Sequence, residues 1–283
     1  MERVLIVNAD DLGLCPSVNQ AIFEVFEAGN LSSATLMVNM PGTKDALDRV
    51  GAYPALGVGL HFCLTEGTSL SGPSGLTAPD GSFRPRPELA KAAVKGRVQA
   101  PDVVRELVAQ LAVLEEAGIA PTHVDSHQHV HMLPAILEAM VPVLRERDLP
   151  MRIVAPPRAA LWSSWSRPRK VAKQALNAYL ADRAFARAPT PTNQALVSIH
   201  DLDDPGPYDK ATYSKLLSWV PPERVTEVMV HPYRLGPDLL EMYGGDPGKL
   251  PFLERCRHEY EALTAGPIFG GASLITFRDL QSR

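Results

Sequence analysis

Val4-Leu5-Ile6-Val7-Asn8-Ala9-Asp10-Asp11 sets four apolar residues just ahead of two adjacent carboxylates. The apolar run reads as a buried strand. Pro16 to Ala28 then carries Val18, Ile22, Val25 and Phe26 on a helical stripe closed by Gly29. The same alternation repeats outward. Ala34 to Met40 and Val58 to Phe62 read as the next strands, with a helix between them. Pro101 to Gly118 reads as a helix with Val103, Val104, Leu107, Leu111 and Leu114 on one face. Thr122 to Asp125 is a strand, and Met132 to Arg147 a helix that Pro142 is expected to kink or shorten. Met151 to Val154, Ala195 to Ile199, Val225 to Val230 and Ser273 to Ile275 complete the series. Strands alternating with helices predict an α/β fold with mostly parallel strands. Polar residues after many of the strands favour a closed (β/α) barrel over an open sheet.

The 283 residues, 45% hydrophobic, suffice for one such barrel, so a single domain over 1–283 is expected. A formal charge of -4 gives no reason to expect nucleic acid as a partner. Cys15, Cys63 and Cys256 are scattered and form no CxxC, which argues against a disulfide framework or a cysteine zinc knuckle. The chain enters a strand at Val4, and no apolar run reaches the ~18 residues of a membrane span. A cytoplasmic, reduced protein is the expectation.

Two stretches break the pattern. Gly67 to Pro87 is rich in Gly, Pro and Ser and reads as a long loop, of the kind that often serves as a lid. Met151 to Ala188 carries Arg152, Arg158, Arg167, Arg169, Lys170, Lys173, Arg183 and Arg187 against Asp182, with Trp162 and Trp165. It reads as a basic helical insertion over roughly 156–190. Such a helix can lie on an anionic membrane, or can simply pack on the barrel or form a dimer contact.

The chemistry-bearing residues follow strands. Asp10 and Asp11 can both face one cavity if the chain turns at the strand end; one would bind metal while the other stays free as a base. The alternative is that one of them caps the following helix. His61 ends Val58-Gly59-Leu60 and, taken alone, reads more readily as a structural histidine than as a ligand. His123, Asp125 and His127 share a face if their strand continues, as do His129 and His131 if the chain stays extended. Four histidines and one aspartate within nine positions are hard to explain by packing, although a polar network at a strand end is the alternative. The spacing is not a helical HExxH. His231 follows Val228-Met229-Val230, and Pro232 would hold it extended into the same mouth. Arg152 could orient a carboxylate. His200 and Asp201 end a strand without an assigned role, and His258 falls in a charged helical pattern. Carboxylates and imidazoles at strand ends suit a divalent metal with a bound water, and hence a metal-dependent hydrolase.

Together these segments resemble the YdjC-like carbohydrate deacetylase family, which includes chitooligosaccharide deacetylases. The resemblance rests on residues 8–13 (NADDLG), 59–65 (GLHFCLT), 122–131 (THVDSHQHVH), 230–232 (VHP) and the closing 274–280 (LITFRDL). It implies a distorted TIM-like barrel and removal of an acetyl group from an N-acetylated sugar such as an N-acetylglucosamine oligosaccharide. It further implies a divalent metal, usually magnesium with zinc as the alternative, held by Asp11, His61 and His127. Asp10 would be the general base, and His231 a candidate general acid by looser analogy with other polysaccharide deacetylases. Asp125, His129, His131 and Arg152 are, from the residues themselves, the supporting or substrate-binding candidates. A homodimer is expected from the same resemblance. Some relatives in that family are associated with hopanoid glycolipids, so a lipid-linked N-acetyl sugar, met through peripheral membrane contact of the insertion, is the alternative substrate. Leu12, Cys63 and Tyr233 depart from the family's usual residues and bear on substrate fit. Two rivals stay open: another hydrolytic or aldolase-type reaction at the same metal, and a metal- or sugar-binding protein without turnover.

Overall fold

The computed structural model describes residues 2–157, 159, 168–188, 192–202 and 204–282, and its described strands form one parallel sheet of seven. β1 (Arg3–Leu12) lies at the centre, between β2 (Ser33–Leu36) and β6 (Thr226–Val230). β3 (Gly57–Phe62) and β4 (Val124–Ser126) continue past β2, and β5 (Ala195–Val197) lies beyond β6. β7 (Ala272–Leu274) pairs with Arg3–Leu5 at the start of β1. A central parallel strand is covered on both faces, which is why Leu5 through Leu12 are all buried.

The two outer strands are joined through an extended segment, 151–155. The N–H of Arg152 donates to the carbonyl of Val124 at 3.0 Å, and that of Leu196 donates to the carbonyl of Ala155 at 2.9 Å. These bonds span β4 and β5 and curl the sheet into the distorted barrel that the sequence predicts. The expected strand at Met151 to Val154 is this segment; its backbone pairing is too sparse for a regular strand.

Helices pack outside. α1 (Pro16–Glu27) buries Val18, Ile22, Phe23 and Val25. α2 (Thr43–Val50) joins β2 to β3, and α3 (Arg86–Val94) leads into α4 (Ala100–Glu116). α4 buries Val103, Leu107, Leu111 and Leu114, with Val104 at the edge of the stripe. α5 (Pro134–Glu146) runs through Pro142 without ending there, so the expected shortening does not occur. α6 (Pro168–Phe185) is the helix of the basic insertion; it buries Ala181 and Ala184, and Arg183 and Arg187 reach Glu138 of α5 at 3.5 and 3.9 Å. Arg158, Trp162, Trp165 and Arg167 lie outside the described residues. α7 (Lys210–Ser218), α8 (Pro237–Tyr243) and α9 (Leu250–Thr264) complete the outer layer. No helix among the described residues is long and apolar enough to cross a membrane.

The long Gly67–Pro87 loop is pinned rather than free. The buried Glu106 of α4 accepts hydrogen bonds from the Ser69 hydroxyl, the Leu70 N–H, and both the N–H and hydroxyl of Ser71. Gln110, one turn on, accepts from the Cys63 N–H and donates to the Cys63 carbonyl. The position of the chain between His61 and the loop is thereby tied to α4.

Candidate active site

Adjacent residues of a strand face opposite ways, so Asp10 and Asp11 reach one cavity only through a break in regularity. The β1–β2 register shifts between Ala9 and Leu12, and Asp11 takes a φ of 67°. This is the work of a bulge, which re-aims a side chain within a continuing strand. The strand runs on to Leu12, so the expected turn at the strand end is not the device.

Asp11 is the hub. Its Oδ1 lies 3.2 Å from His61 Nε2 and 2.9 Å from His127 Nδ1, and its Oδ2 accepts from the Tyr233 hydroxyl. Burial would raise the Asp11 carboxyl, but the His127 and His61 imidazoles outweigh it and hold it well below the usual carboxylate range. His61 turns its other nitrogen, Nδ1, to Asp125 Oδ1 at 2.7 Å, with the Thr35 hydroxyl at 3.1 Å. Burial opposes charge on this ring, yet Asp125 and Asp11 push it up to about 9.

Beneath lies an ionic floor built on Arg152, which is fully buried. Its guanidinium holds both oxygens of Asp10, at 2.8 and 2.6 Å, and also meets Asp125 Oδ2 at 2.7 Å. Glu227 of β6 accepts from Arg152 Nε at 2.7 Å. A guanidinium is suited to this because its planar fork serves several carboxylates at once. Burial leaves Glu227 short of compensation and lifts it to about 7 despite Arg152. His231 follows β6 and sets Nε2 3.8 Å from Asp10 Oδ2 and 3.9 Å from Asp11 Oδ2. Burial lowers its basicity. Its backbone N–H donates to the buried Glu259 of α9 at 2.7 Å, and burial raises Glu259 to about 8.

The histidine-rich run does not stay extended. After Ser126 it enters a 3₁₀ turn at His127–Met132, with Gln128 and His129 at φ 55° and 57°. The expected alternation of faces therefore fails, and the four histidines part company. His127 joins Asp11, and His129 lines the pocket. His131 is buried behind the pocket, against the Ser126 hydroxyl and the Arg152 carbonyl, and burial pushes it down to about 4. His123 is outside the site: its ring stacks on Phe277 at 3.9 Å, and burial pushes it down to about 3. The same ring explains Gly59, where an added Cβ would sit 2.5 Å from His123.

Several residues of the site carry no signal in the sequence. Glu66 faces His127 Nε2 at 3.4 Å, accepts from the Tyr243 hydroxyl and pairs with Lys249 at 3.2 Å. Glu227 and Glu259 are likewise solitary in the chain, while Tyr233, which stood out only as a departure from the family pattern after His231-Pro232, donates its hydroxyl to Asp11. His200 sets its ring 5.1 Å from that of His231, edge to face, and stacks on Phe252. His258 is half-buried and accepts no part in the site, its Nδ1 lying 2.9 Å from the Pro205 carbonyl.

The open pocket above the floor has a volume of about 360 Å³. Asp10, Asp11, His61, His127 and His231 give its lining the ionisable groups, while Val154, Pro156, Leu196, Met229 and Phe252 add an apolar wall, Phe252 lying 5.7 Å from the His231 ring. Asn177 of the insertion helix and Lys249 also reach it. Asp11, His61 and His127 each offer one ligand atom within 4.8 Å of the others. One carboxylate oxygen and two imidazole nitrogens facing a common point fit a divalent metal. Asp10, His61 and Asp125 also converge, but both of those carboxylates are already taken up by Arg152.

Residues 4–267 match the YdjC-like protein family. A carbohydrate deacetylase of Geobacillus stearothermophilus is 42% identical over 154 residues, 54% of this chain and 61% of that protein. A chitooligosaccharide deacetylase of Yersinia pestis is 41% identical over 154 residues, 54% of this chain and 60% of that protein. The match thus spans about three-fifths of the length of these curated relatives. A crystal structure from Enterococcus faecalis V583, provisionally named for cellobiose-phosphate cleavage, superimposes with a TM-score of 0.75 at 22% identity, over 99% of this chain and all of that one, and shares the fold.

Proposed function

The chain belongs to the YdjC-like family, and we propose that it is a metal-dependent hydrolase that removes the acetyl group from an N-acetylated sugar. The observation that carries this reading is the division of labour between two neighbouring carboxylates. Asp11 faces two imidazoles as a ligand would, while Asp10 is held apart by Arg152 and stands beside His231. A binding module has no use for the second carboxylate. The names of the relatives supply the substrate class.

Asp11, His61 and His127 would hold the metal, which when bound polarises an acetamide carbonyl and lowers the pKa of a water. Two nitrogens and one oxygen suit zinc or a similar transition ion better than magnesium, which favours oxygen ligands. Arg152 fixes the Asp10 carboxylate so that it accepts a proton from the attacking water. The proton that Asp10 takes up passes to His231, which gives it to the departing amine. The two groups lie 3.8 Å apart, so uptake and delivery of the proton are handled at one spot. The apolar wall receives the methyl group and the face of the sugar ring. A cavity of about 360 Å³ falls within the range of small-molecule sites.

A second reading, a lipid-linked N-acetyl sugar, draws support from α6. That helix exposes Leu176 and Tyr179 on the element that brings Asn177 to the pocket. Co-sedimentation with anionic vesicles at low salt tests it, and absence of binding removes it.

The deciding experiment is acetate release from N-acetylglucosamine disaccharides by metal-stripped protein, with zinc, magnesium, cobalt or nothing added back. Release that depends on metal is expected. A protein that holds metal and sugar but frees no acetate is a binding protein.

A further inference from the structure

His61 and His127 both present one nitrogen to Asp11, and each has a carboxylate near its other nitrogen. For His61 that carboxylate is Asp125, adjacent in the sheet register and 2.7 Å away. For His127 it is Glu66, which comes from the loop after β3 and stands 3.4 Å from Nε2. Buried His127 Nε2 makes no hydrogen bond of normal geometry. Glu66 is itself held on three sides. The Tyr243 hydroxyl donates to its Oε2, Lys249 lies 3.2 Å from its Oε1, and Asn39 donates to its backbone carbonyl at 3.0 Å.

We propose that Glu66 is a positioning residue for His127: its carboxylate accepts the Nε2–H, keeps the proton on that nitrogen and so presents Nδ1, with its lone pair free, toward Asp11 and the metal. Imidazoles that bind metals almost always donate their second N–H to a carboxylate or carbonyl, which fixes both tautomer and ring orientation. His127 needs this more than His61 does. It sits at the entry to a 3₁₀ turn with two left-handed residues, where no ladder of backbone bonds fixes its direction. Tyr243 ends α8, and Lys249 precedes α9 and lines the pocket. The C-terminal third of the chain therefore sets the aim of a ligand that belongs to the middle third.

This inference rests on the metal-site reading above. It is tested by titrating metal-stripped wild type, Glu66→Ala and Glu66→Gln with zinc in competition with a chromophoric chelator. Glu66→Ala is expected to weaken zinc by ~10–100-fold, as is usual for such partners. Glu66→Gln, whose amide oxygen still accepts, is expected to lie between it and wild type, and the KM for the disaccharide at saturating zinc should stay put. Unchanged zinc affinity in Glu66→Ala overturns the proposal, as does a raised KM with unchanged affinity, which would make Glu66 a sugar contact. If Glu66→Ala does not fold, Tyr243→Phe carries the test, since it frees Glu66 on one side and should weaken zinc by a smaller factor; no change there overturns the proposal. Failure of the wild type to bind zinc removes both this inference and the metal-site reading. Zinc binding without acetate release removes only the deacetylase reading, and the comparison of variants still decides the role of Glu66.

Discussion

The floor of the pocket and its wall are built by different means. On the floor, Asp10, His61, Asp125, Glu227 and the closing segment with Arg152 all stand on strands of the one sheet or its continuation, and every one is buried. On the wall, His127 and His129 sit on a 3₁₀ turn, Lys249 before a helix and Asn177 on α6, with Glu66 behind His127 on a loop. Sheet register places the floor, and opposite charges lock it. The wall depends on contacts between segments far apart in the chain, so its residues can be exchanged or shifted without touching the barrel. The floor should therefore show its failures as lost stability and lost chemistry, and the wall as altered binding.

Arg152→Met is the harshest test of this division. It leaves Asp10, Asp125 and Glu227 buried without their cation, and breaking a buried ion pair typically costs ~3–5 kcal/mol. Urea unfolding should show a loss of that size; a loss under about 1 kcal/mol would mean the floor is not locked by charge. Asp10→Asn comes next. Acetate release is expected to fall by ~10²–10⁴ while zinc, counted by elemental analysis, stays bound; near-normal turnover would remove Asp10 as the base.

Glu259 tests the support beneath His231. Its folded-state value, raised by burial to about 8 from an ordinary 4.5, keeps it protonated where the unfolded chain ionises. Its stabilising contribution is full below about 4.5 and is lost as pH rises toward 8. Glu259→Gln mimics the protonated acid and lacks this dependence. The stability of the variant relative to wild type should thus rise across that window, on the order of 1 kcal/mol per pH unit. Parallel stability–pH curves would show that Glu259 is not held neutral. The smallest effect is expected on the wall's outer face. Leu176 and Tyr179 are 56% and 57% exposed, so replacing both with Ser should move the unfolding free energy by no more than about 0.5 kcal/mol. A larger loss would mean that α6 is packed against something in solution.

Most of the fold was legible because apolar runs and helical stripes alternate without much interruption. The convergence of Asp10, Asp11, His61, His127 and His231 was legible because each lies at or just past the C-terminal end of an apolar strand run, and parallel strands bring those ends together. Arg152 gave only a weak signal, a charge at the start of an apolar run. Other features had no local signal. Glu66 and Glu227 are single acids in otherwise ordinary surroundings, and their partners lie 61 and 75 positions away, as the pairs His127–Glu66 and Arg152–Glu227 show. The histidine run misled about faces because left-handed backbone at Gln128 and His129 cannot be foreseen from residues that also accept extended geometry.

The sequence by itself determined the β/α alternation, the family and the set of groups gathered at one end of the strands, since periodicity and residue type are local properties. Only the tertiary structure decided where the other histidines of the 123–131 run go, how a bulge turns Asp10 and Asp11 into one cavity, and that Arg152 unites three carboxylates. Those outcomes depend on burial. A charge removed from water must find its partner wherever the chain brings one, and that search runs across the fold rather than along the sequence.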